Sequence, residues 1–421
     1  MEQANYWAVT APARPSYRGL DLPDSADCVV IGGGLTGLSA AYHLALEGVR
    51  VVVLEREHLG WGASSRNGGM GIPHLNAGFE TLIAQYGIEA VQRMFGATLE
   101  ANQLVEAIVG REHIECDLQK TGSLAAAHRP GQLKWLAERQ RRLAADFDHL
   151  TRLIPPESLH EELGTDRYYG GLVDEASIGL HPARLVAGMA RIADEAGVTL
   201  REGVDALDVQ EGADGFEVVT AGGRVRAKEV VVATNGYTGG TTPALRRRVI
   251  PLASYVIATE PLDEALADRI IPRRRMVYDT RNNLYYFRIL PDNRMLFGGS
   301  PTFRLADVER NGERLRRGMV ALFPELAGVP IAYAWNGLVG MTFDQMPHLG
   351  RMDGLRYALG YNGDGLTMSV YFGMRLAGAI AGTGELPPFD RLRFRGMLLY
   401  RKRPWFLPLA SAYFWIRDEI G

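Results

Sequence analysis

Asp27-Cys28-Val29-Val30-Ile31-Gly32-Gly33-Gly34-Leu35-Thr36-Gly37-Leu38-Ser39-Ala40-Ala41 runs on through Tyr42-His43-Leu44-Ala45-Leu46-Glu47-Gly48 to Val49-Arg50-Val51-Val52-Val53-Leu54-Glu55, and the reading of this chain turns on that stretch. An apolar run enters a glycine turn and the turn opens a helical segment. The helix then returns the chain to a second apolar run that ends in a carboxylate. Strand, turn, helix and parallel strand in that order form a βαβ unit.

Each residue type in the turn has a physical reason. Gly32 permits the tight turn, Gly34 lets backbone N–H groups approach a pyrophosphate, and Gly37 lets the helix lie close on the strand. Leu35 and Thr36 begin the helix, whose positive end attracts phosphate. Glu55 falls 18 residues past Gly37, at the strand tip, where it can accept hydrogen bonds from ribose hydroxyls and would repel a 2′-phosphate. The unit predicts a dinucleotide other than NADP. It does not separate NAD from FAD, because both carry ADP.

The chain has 421 residues, which suggests two domains with room to enclose a cofactor. Lys plus Arg number 46 against 49 for Asp plus Glu, a net charge of -3 that gives no reason to expect nucleic acid. The two cysteines, Cys28 and Cys116, offer neither a disulfide framework nor a CxxC metal site, which suits a reducing cytoplasm. Residues 1–24 lack the basic and apolar blocks of a secretory signal, and no apolar run approaches the ~20 residues that span a bilayer. A soluble, cytoplasmic protein is expected.

Along the chain, Tyr6-Trp7 and the proline-rich stretch to Pro23 read as an arm on the body. Gly62-Ala63-Ser64-Ser65-Arg66-Asn67-Gly68-Gly69-Met70 is a small-residue loop able to approach a flat ligand. Helical spacing over 80–109 and 131–150 predicts cover helices, and His181-Pro182 starts another, with His181 read as a cap or packing residue. Strands follow over 198–209, 215–220 and 224–234, the last breaking at Asn235-Gly236 after Thr234. From 246 to 332 alternation predicts an antiparallel sheet, with Tyr286 and Arg288 on one face of a strand and Tyr285 and Phe287 on the other. Trp335-Asn336-Gly337 comes next. Then Arg356 to Gly360 is a short strand leading through Gly363-Asp364-Gly365-Leu366-Thr367 into an apolar helix ending near Ala381. Two glycine-rich strand-to-helix turns, far apart in sequence, imply one long ligand held at both ends.

These residues resemble the D-amino-acid oxidase superfamily of FAD enzymes, most closely its gamma-glutamylputrescine oxidase branch. The resemblance rests on the Val30–Gly37 turn, the Gly62–Gly69 loop, Ala233-Thr234-Asn235-Gly236-Tyr237, Tyr286-Phe287-Arg288 with Pro291-Asp292-Asn293-Arg294, Trp335-Asn336-Gly337 and Gly360-Tyr361-Asn362-Gly363-Asp364-Gly365. It implies an α/β fold with a Rossmann-like, discontinuous FAD-binding domain (1–80, 175–245 and 332–390). An α+β substrate domain built on an antiparallel sheet (81–174 and 246–331) is inserted in it, and a basic, aromatic C-terminal segment (391–421) follows. On this resemblance the cofactor contacts extend to Arg56, Val204, Gly236, Trp335, Gly337 and Gly360. The 66–69 loop and the 363–367 turn approach the flavin. The helix after Gly365 directs positive potential at the flavin ring where charge builds on reduction. Met70 stands where Gln is usual, Ser65 where Gly is usual and Asp364 where His is common. Met70 makes the pocket less polar, and Asp364 is read as a helix N-cap ahead of an anion for a cationic amine. With no Cys beyond Cys116 and no His in the Arg66 loop, non-covalent FAD is expected.

The implied reaction is oxidation of a C–N bond in an amine or amino acid by hydride transfer to flavin N5. The resulting imine hydrolyses to a carbonyl, and reoxidation by O2 forms H2O2. Tyr255, Tyr286 and Arg288 are the expected pocket residues, Arg288 for a substrate carboxylate, and His74 and His348 are weaker base candidates. Three alternatives stand beside this: a dehydrogenase passing electrons to a quinone or an electron-transfer protein, a flavin-binding protein without turnover, and an NAD dehydrogenase. Arg391, Arg393, Arg395, Arg401, Lys402 and Arg403, interleaved with aromatic and aliphatic residues, could lie on an anionic membrane. Packing on the body or on a partner subunit is the favoured reading of that segment.

Overall fold

The computed structural model describes residues 1–302, 307–397 and 400. Ser25–Ile31 is a central strand because its apolar residues are buried on both faces. It pairs in parallel with Val51–Glu55 on one side and Gly223–Val232 on the other, in the register Val29 to Val52 and Val230. Thr199–Glu202 extends the sheet beyond Val51–Glu55, and Leu355–Leu359 then His348–Met352 extend it beyond Gly223–Val232. The antiparallel strands Ala206–Gly212 and Gly215–Thr220 branch from Gly223–Val232.

Two helices cover one face of this sheet, Leu35–Leu46 from the first glycine turn and Gly365–Ala381 from the second. Both are nearly all apolar. A Cβ on Gly373 would lie 2.6 Å from the Thr36 carbonyl oxygen and 2.7 Å from Ser39 Cβ, so the backbones touch there. At the crossing Ser39 Oγ donates to the Val370 carbonyl at 2.6 Å. On the strand side, a Cβ on Gly37 would lie 2.0 Å from the Gly32 carbonyl oxygen. Glycine is therefore required at both contacts.

The second sheet runs Ile331–Met341, Ile250–Thr259, Met295–Thr302, Tyr285–Ile289, Met276–Asp279, Ser123–Ala126, Gly171–Asp174, Arg152–Ile154. It is mixed rather than antiparallel throughout, because Met276–Asp279 pairs in parallel with Ser123–Ala126. Helix Val308–Leu322 packs Leu315, Met319 and Leu322 into the core beneath it.

Two boundaries differ from the sequence reading. Ile331–Met341, assigned from residue 332 to the FAD-binding part, hydrogen-bonds along its length to Ile250–Thr259 and so is an edge strand of the second sheet. Helix Ile88–Arg111, assigned to the second domain, turns Val91, Met94, Phe95, Val105 and Ile108 into the core that holds Leu38 and Val370. Each such side chain contributes about 1.5–3 kcal/mol on burial, and that face finds its apolar partners on the first domain. The helical stretch from residue 80 also breaks at Gly87, φ +81°, into Phe79–Tyr86 and Ile88–Arg111.

The helix boundaries 182–195 and 365–381 match expectation, with His181 accepting from the Arg184 amide as an N-cap. Tyr6 and Trp7 of the N-terminal arm are buried. Of the C-terminal segment, Phe394 stacks on His348 and Tyr357, and Tyr400 donates to the Val249 carbonyl, so this part docks on the body. Residues 398–399 and 401–421, on which the membrane reading rested, lie outside the described residues. No helix among the described residues is long and apolar enough to cross a membrane. Cys28 and Cys116 are buried free thiols.

Gly373→Leu is expected to force the two covering helices apart and to cost about 1–3 kcal/mol by overpacking. A lower urea midpoint of the purified chain, with loss of bound flavin absorbance, checks this.

Candidate active site

A long cavity opens at the carboxyl ends of the parallel strands. Its first part is lined by Gly32, Gly34, Leu35, Thr36 and Glu55, the residues read from the βαβ unit, and by Arg56, which the resemblance added. Gly32 has φ +109°, and a Cβ there would meet the Ala233 carbonyl oxygen at 2.8 Å. A Cβ on Gly34 would meet Ser64 Oγ at 2.8 Å. The same Ser64 hydroxyl accepts from the Leu35 amide at 3.0 Å, capping the helix that Gly34 itself cannot cap.

Glu55 accepts from the Gly33 amide at 2.8 Å through one oxygen and from the Glu57 amide through the other. Burial pushes its pKa up, against the pull of these amides. Val204, Thr234 and Asn235 form the floor with Gly62, Ala63 and Asn67, and Gly363, Gly365 and Leu366 close the far end.

Two hydrogen bonds tie the ends together. Thr36 Oγ1 and the Tyr361 hydroxyl lie 2.8 Å apart, joining the first helix N-terminus to the second turn. Asn235, at φ +41°, accepts from the Gly360 amide at 2.9 Å. Two helix N-termini thus border one cavity.

A second cavity adjoins it, and the two share Ala63, Asn67, Val339, Gly363 and Leu366. The second is walled by Arg66, Gly68, Met70, Gly337 and Asp364 and roofed by Ser254, Tyr278 and Tyr286 of the second sheet, with Leu284 just before the Tyr285–Ile289 strand. Tyr286 fits because Gly298 faces it across the sheet, where a Cβ would lie 2.2 Å from the phenol ring.

The loop between the cavities is held by its carbonyls. Asn5 Nδ2 donates to the Ser65 carbonyl at 2.7 Å, Trp335 Nε1 to that of Arg66 at 3.0 Å, and Trp7 Nε1 to that of Asn67 at 2.8 Å. The Gly69 amide donates to Asn67 Oδ1 at 2.8 Å. Asn5 and Trp7 were not anticipated as site residues. Their only sequence signal is aromatic and amide content in an otherwise proline-rich arm.

Several expected contacts stand behind the cavity walls. Gly37, Ser65, Gly69, Gly236, Trp335, Gly360 and Thr367 line neither cavity and instead shape the segments that do. Tyr255 points into the core of the second sheet with Ile257 and Phe287, because period two gives the cavity face of its strand to Ser254. Arg288 is also no pocket residue. It is 1% exposed and donates to the Gly69 carbonyl at 2.5 Å, the Leu180 carbonyl at 3.4 Å and Gln119 Oε1 at 2.9 Å. Burial lowers its pKa to about 10, so it stays a cation at neutral pH and pins the end of the loop.

His348 is buried away from both cavities and shares its Nε2 with the Asp344 carboxylate at 3.0 Å. His74 lines the second cavity, but burial and the Arg139 guanidinium, 2.9 Å from its Nδ1, lower its pKa to about 3. It is neutral at physiological pH and a poor base. Asp364 occupies the N-cap position of Gly365–Ala381 yet makes no capping bond, contrary to expectation. It accepts from Asn76 Nδ2 at 2.6 Å instead. No group of three or more His, Cys, Asp or Glu residues among those described could hold a metal ion.

These features fit FAD. The glycine cradles leave no room for side chains, two helix N-termini supply positive potential, the Glu55 carboxylate lines the cavity at the tip of its strand, and the far end opens beside a second cavity. The DAO family, described as FAD dependent oxidoreductase, matches residues 27–379. Gamma-glutamylputrescine oxidoreductase of Escherichia coli (strain K12) is 32% identical over 427 residues, covering 99% of each chain. Among solved structures, glycine oxidase from Geobacillus kaustophilus is similar with a TM-score of 0.74 at 21% identity, over 90% of this chain and 100% of that one. L-proline dehydrogenase from P.horikoshii is similar with a TM-score of 0.72 at 22% identity, over 88% of this chain and 96% of that one.

Arg288→Ala is expected to lower the melting temperature of the FAD-loaded chain and speed FAD release, since each buried acceptor left unpaired costs about 1–3 kcal/mol. KM for acidic substrates should not rise selectively. Differential scanning fluorimetry and steady-state kinetics on the same preparation check both.

Proposed function

Because the chain belongs to the DAO family of FAD-dependent oxidoreductases, we propose that it oxidises the C–N bond of a small amine or amino acid bound in the second cavity. The observation that supports this reading is the wall common to the two cavities, which brings whatever fills the second against the far end of a cofactor filling the first. The residues that would hold FAD are Gly32, Gly34, Leu35, Thr36 and Glu55 at one end and Ala63, Asn67, Gly363, Gly365 and Leu366 at the other. When bound, FAD supplies a two-electron acceptor that takes the hydride from the substrate carbon next to nitrogen.

The chain's own residues orient and desolvate. Tyr278, Leu284, Tyr286, Met70, Ile72 and Leu338 give the second cavity an apolar surround that excludes water from the reacting carbon. Little acid–base machinery is required, because the cofactor carries the difficult chemistry. The imine product hydrolyses in water to a carbonyl compound and ammonia or a smaller amine. Both thiols are buried, Cys116 with its pKa pushed up to about 12, and neither lines a cavity, which supports a non-covalently held cofactor.

We take O2 as the electron acceptor, with H2O2 as product. The fold is common to a protein named as an oxidase and one named as a dehydrogenase, so the acceptor is a property to be measured. Anaerobic mixing of the yellow protein with polyamines, N-methyl amino acids and D- and L-amino acids should bleach the flavin band with at least one class. Admitting air should restore the colour with one peroxide per flavin. A band that stays yellow throughout contradicts the enzyme reading, and one that stays bleached in air but recovers with a quinone replaces the oxidase with a dehydrogenase.

A further inference from the structure

Taking the proposed amine or amino acid oxidation as its ground, we propose that Asp364 is the anion that receives the substrate's cationic nitrogen. Among the described residues that line the second cavity, the ionisable groups are Arg66, His74, Tyr278, Tyr286 and Asp364.

The one guanidinium in the lining, Arg66, donates through Nε to the Trp61 carbonyl at 2.7 Å and through Nη1 to the Asn336 carbonyl at 3.2 Å, and lies over the Trp61 ring. Arg288 is sealed behind Gly69. Asp364, by contrast, is held in the cavity by one bond, from Asn76 to its Oδ2. No hydrogen bond from a described residue reaches its Oδ1.

The groups that face Asp364 leave its charge to be met by a ligand. Asn76 is neutral. His74 is neutral because burial and Arg139 hold its pKa at about 3. Tyr278 is neutral, its pKa raised to about 12 chiefly by burial. Arg139 acts on Asp364 from behind His74, stacked over Phe79. Burial outweighs both Asn76 and Arg139 and raises the Asp364 pKa to about 7. An ammonium group placed at Oδ1 would give Asp364 a directly bonded counter-charge, which no described residue supplies.

The same contact solves a chemical requirement. An ammonium nitrogen has no lone pair to stabilise positive charge growing on the neighbouring carbon, so hydride loss needs the free amine. Transfer of one proton from R–NH3+ to the Asp364 carboxylate gives R–NH2 and a neutral carboxylic acid, with total charge unchanged. The carbon then gives up one hydride, a proton carrying two electrons, to the acceptor that FAD would supply, and the nitrogen lone pair forms the C=N bond of a protonated imine.

The sign of the pH dependence follows. Below about 7 Asp364 is protonated, and binding a cationic amine must release one proton to solvent; above about 7 none is released. Calorimetric titration of the FAD-loaded protein, its flavin first reduced under anaerobic conditions so that no turnover accompanies binding, with 1,4-diaminobutane, butylamine, ornithine and norvaline tests this at pH 6 and 8. At least one amine should bind about tenfold more tightly at pH 8 than at pH 6, as expected for a group titrating near 7. About one proton should be released at pH 6, measured from buffers of different ionisation heat. Asp364→Asn, which keeps an acceptor for Asn76, should abolish the pH dependence and weaken the amine at least tenfold, with FAD content unchanged. Amine affinity indifferent to pH and to Asp364→Asn, or no amine binding, would overturn the proposal. Binding as described, with no bleaching of the oxidised flavin by these compounds, would leave Asp364 in its role and remove the proposed oxidation instead.

Discussion

The backbone contact between helices Leu35–Leu46 and Gly365–Ala381 is the constraint on which this structure depends. Gly373 lets the second helix rest against the Thr36 carbonyl, and the hydrogen bond between the Thr36 and Tyr361 hydroxyls fixes the two N-terminal ends together. Each N-terminus presents N–H groups that have no partner within the helix and a positive dipole end. Bringing two of them to one cavity creates a site for a ligand with phosphates at one end and an electron-accepting ring at the other. A larger residue at Gly373 would open the crossing and separate the two halves of that site.

The second sheet then acts as a roof whose inner face is chosen residue by residue. Ser254 and Tyr286 reach the cavity, while Tyr255 and Phe287, their neighbours in sequence, fill the core on the far side. Between roof and floor lies the loop 62–70, whose carbonyls are held from three directions by Asn5, Trp7 and Trp335 and whose end is pinned by Arg288. The rigidity of this loop is built from hydrogen bonds contributed by distant parts of the chain, which is how a stretch of small residues can be a precise wall.

Much of this was legible from residues alone, for stated physical reasons. The Asp27–Glu55 unit carries its own period change from strand to helix, and the second turn at 360–367 precedes a continuous apolar helix, so both junctions could be read locally. The strands Ser123–Ala126, Arg152–Ile154, Gly171–Asp174 and Met276–Asp279 could not, being three or four residues long with pairing set by partners far away. Alternation placed Tyr286 and Arg288 on one face correctly, yet it cannot show that the Gly69 carbonyl stands in front of the guanidinium. Nor could it show that Asp364, at an N-cap position, would turn to Asn76 and leave the amides uncapped. Residues whose role depends on a carbonyl or amide supplied from elsewhere in the chain are the ones that sequence patterns misassign.

We propose that a single FAD extends from the N-terminus of Leu35–Leu46 to that of Gly365–Ala381. In a crystal structure of the yellow protein this places continuous density along the cavity, with the pyrophosphate at the Gly32–Leu35 turn, the ribose hydroxyls on Glu55 and the isoalloxazine between the 66–69 loop and the 363–367 turn. Density for a dinucleotide confined to the first turn, or for separate molecules at the two helix ends, would rule out a single bridging cofactor.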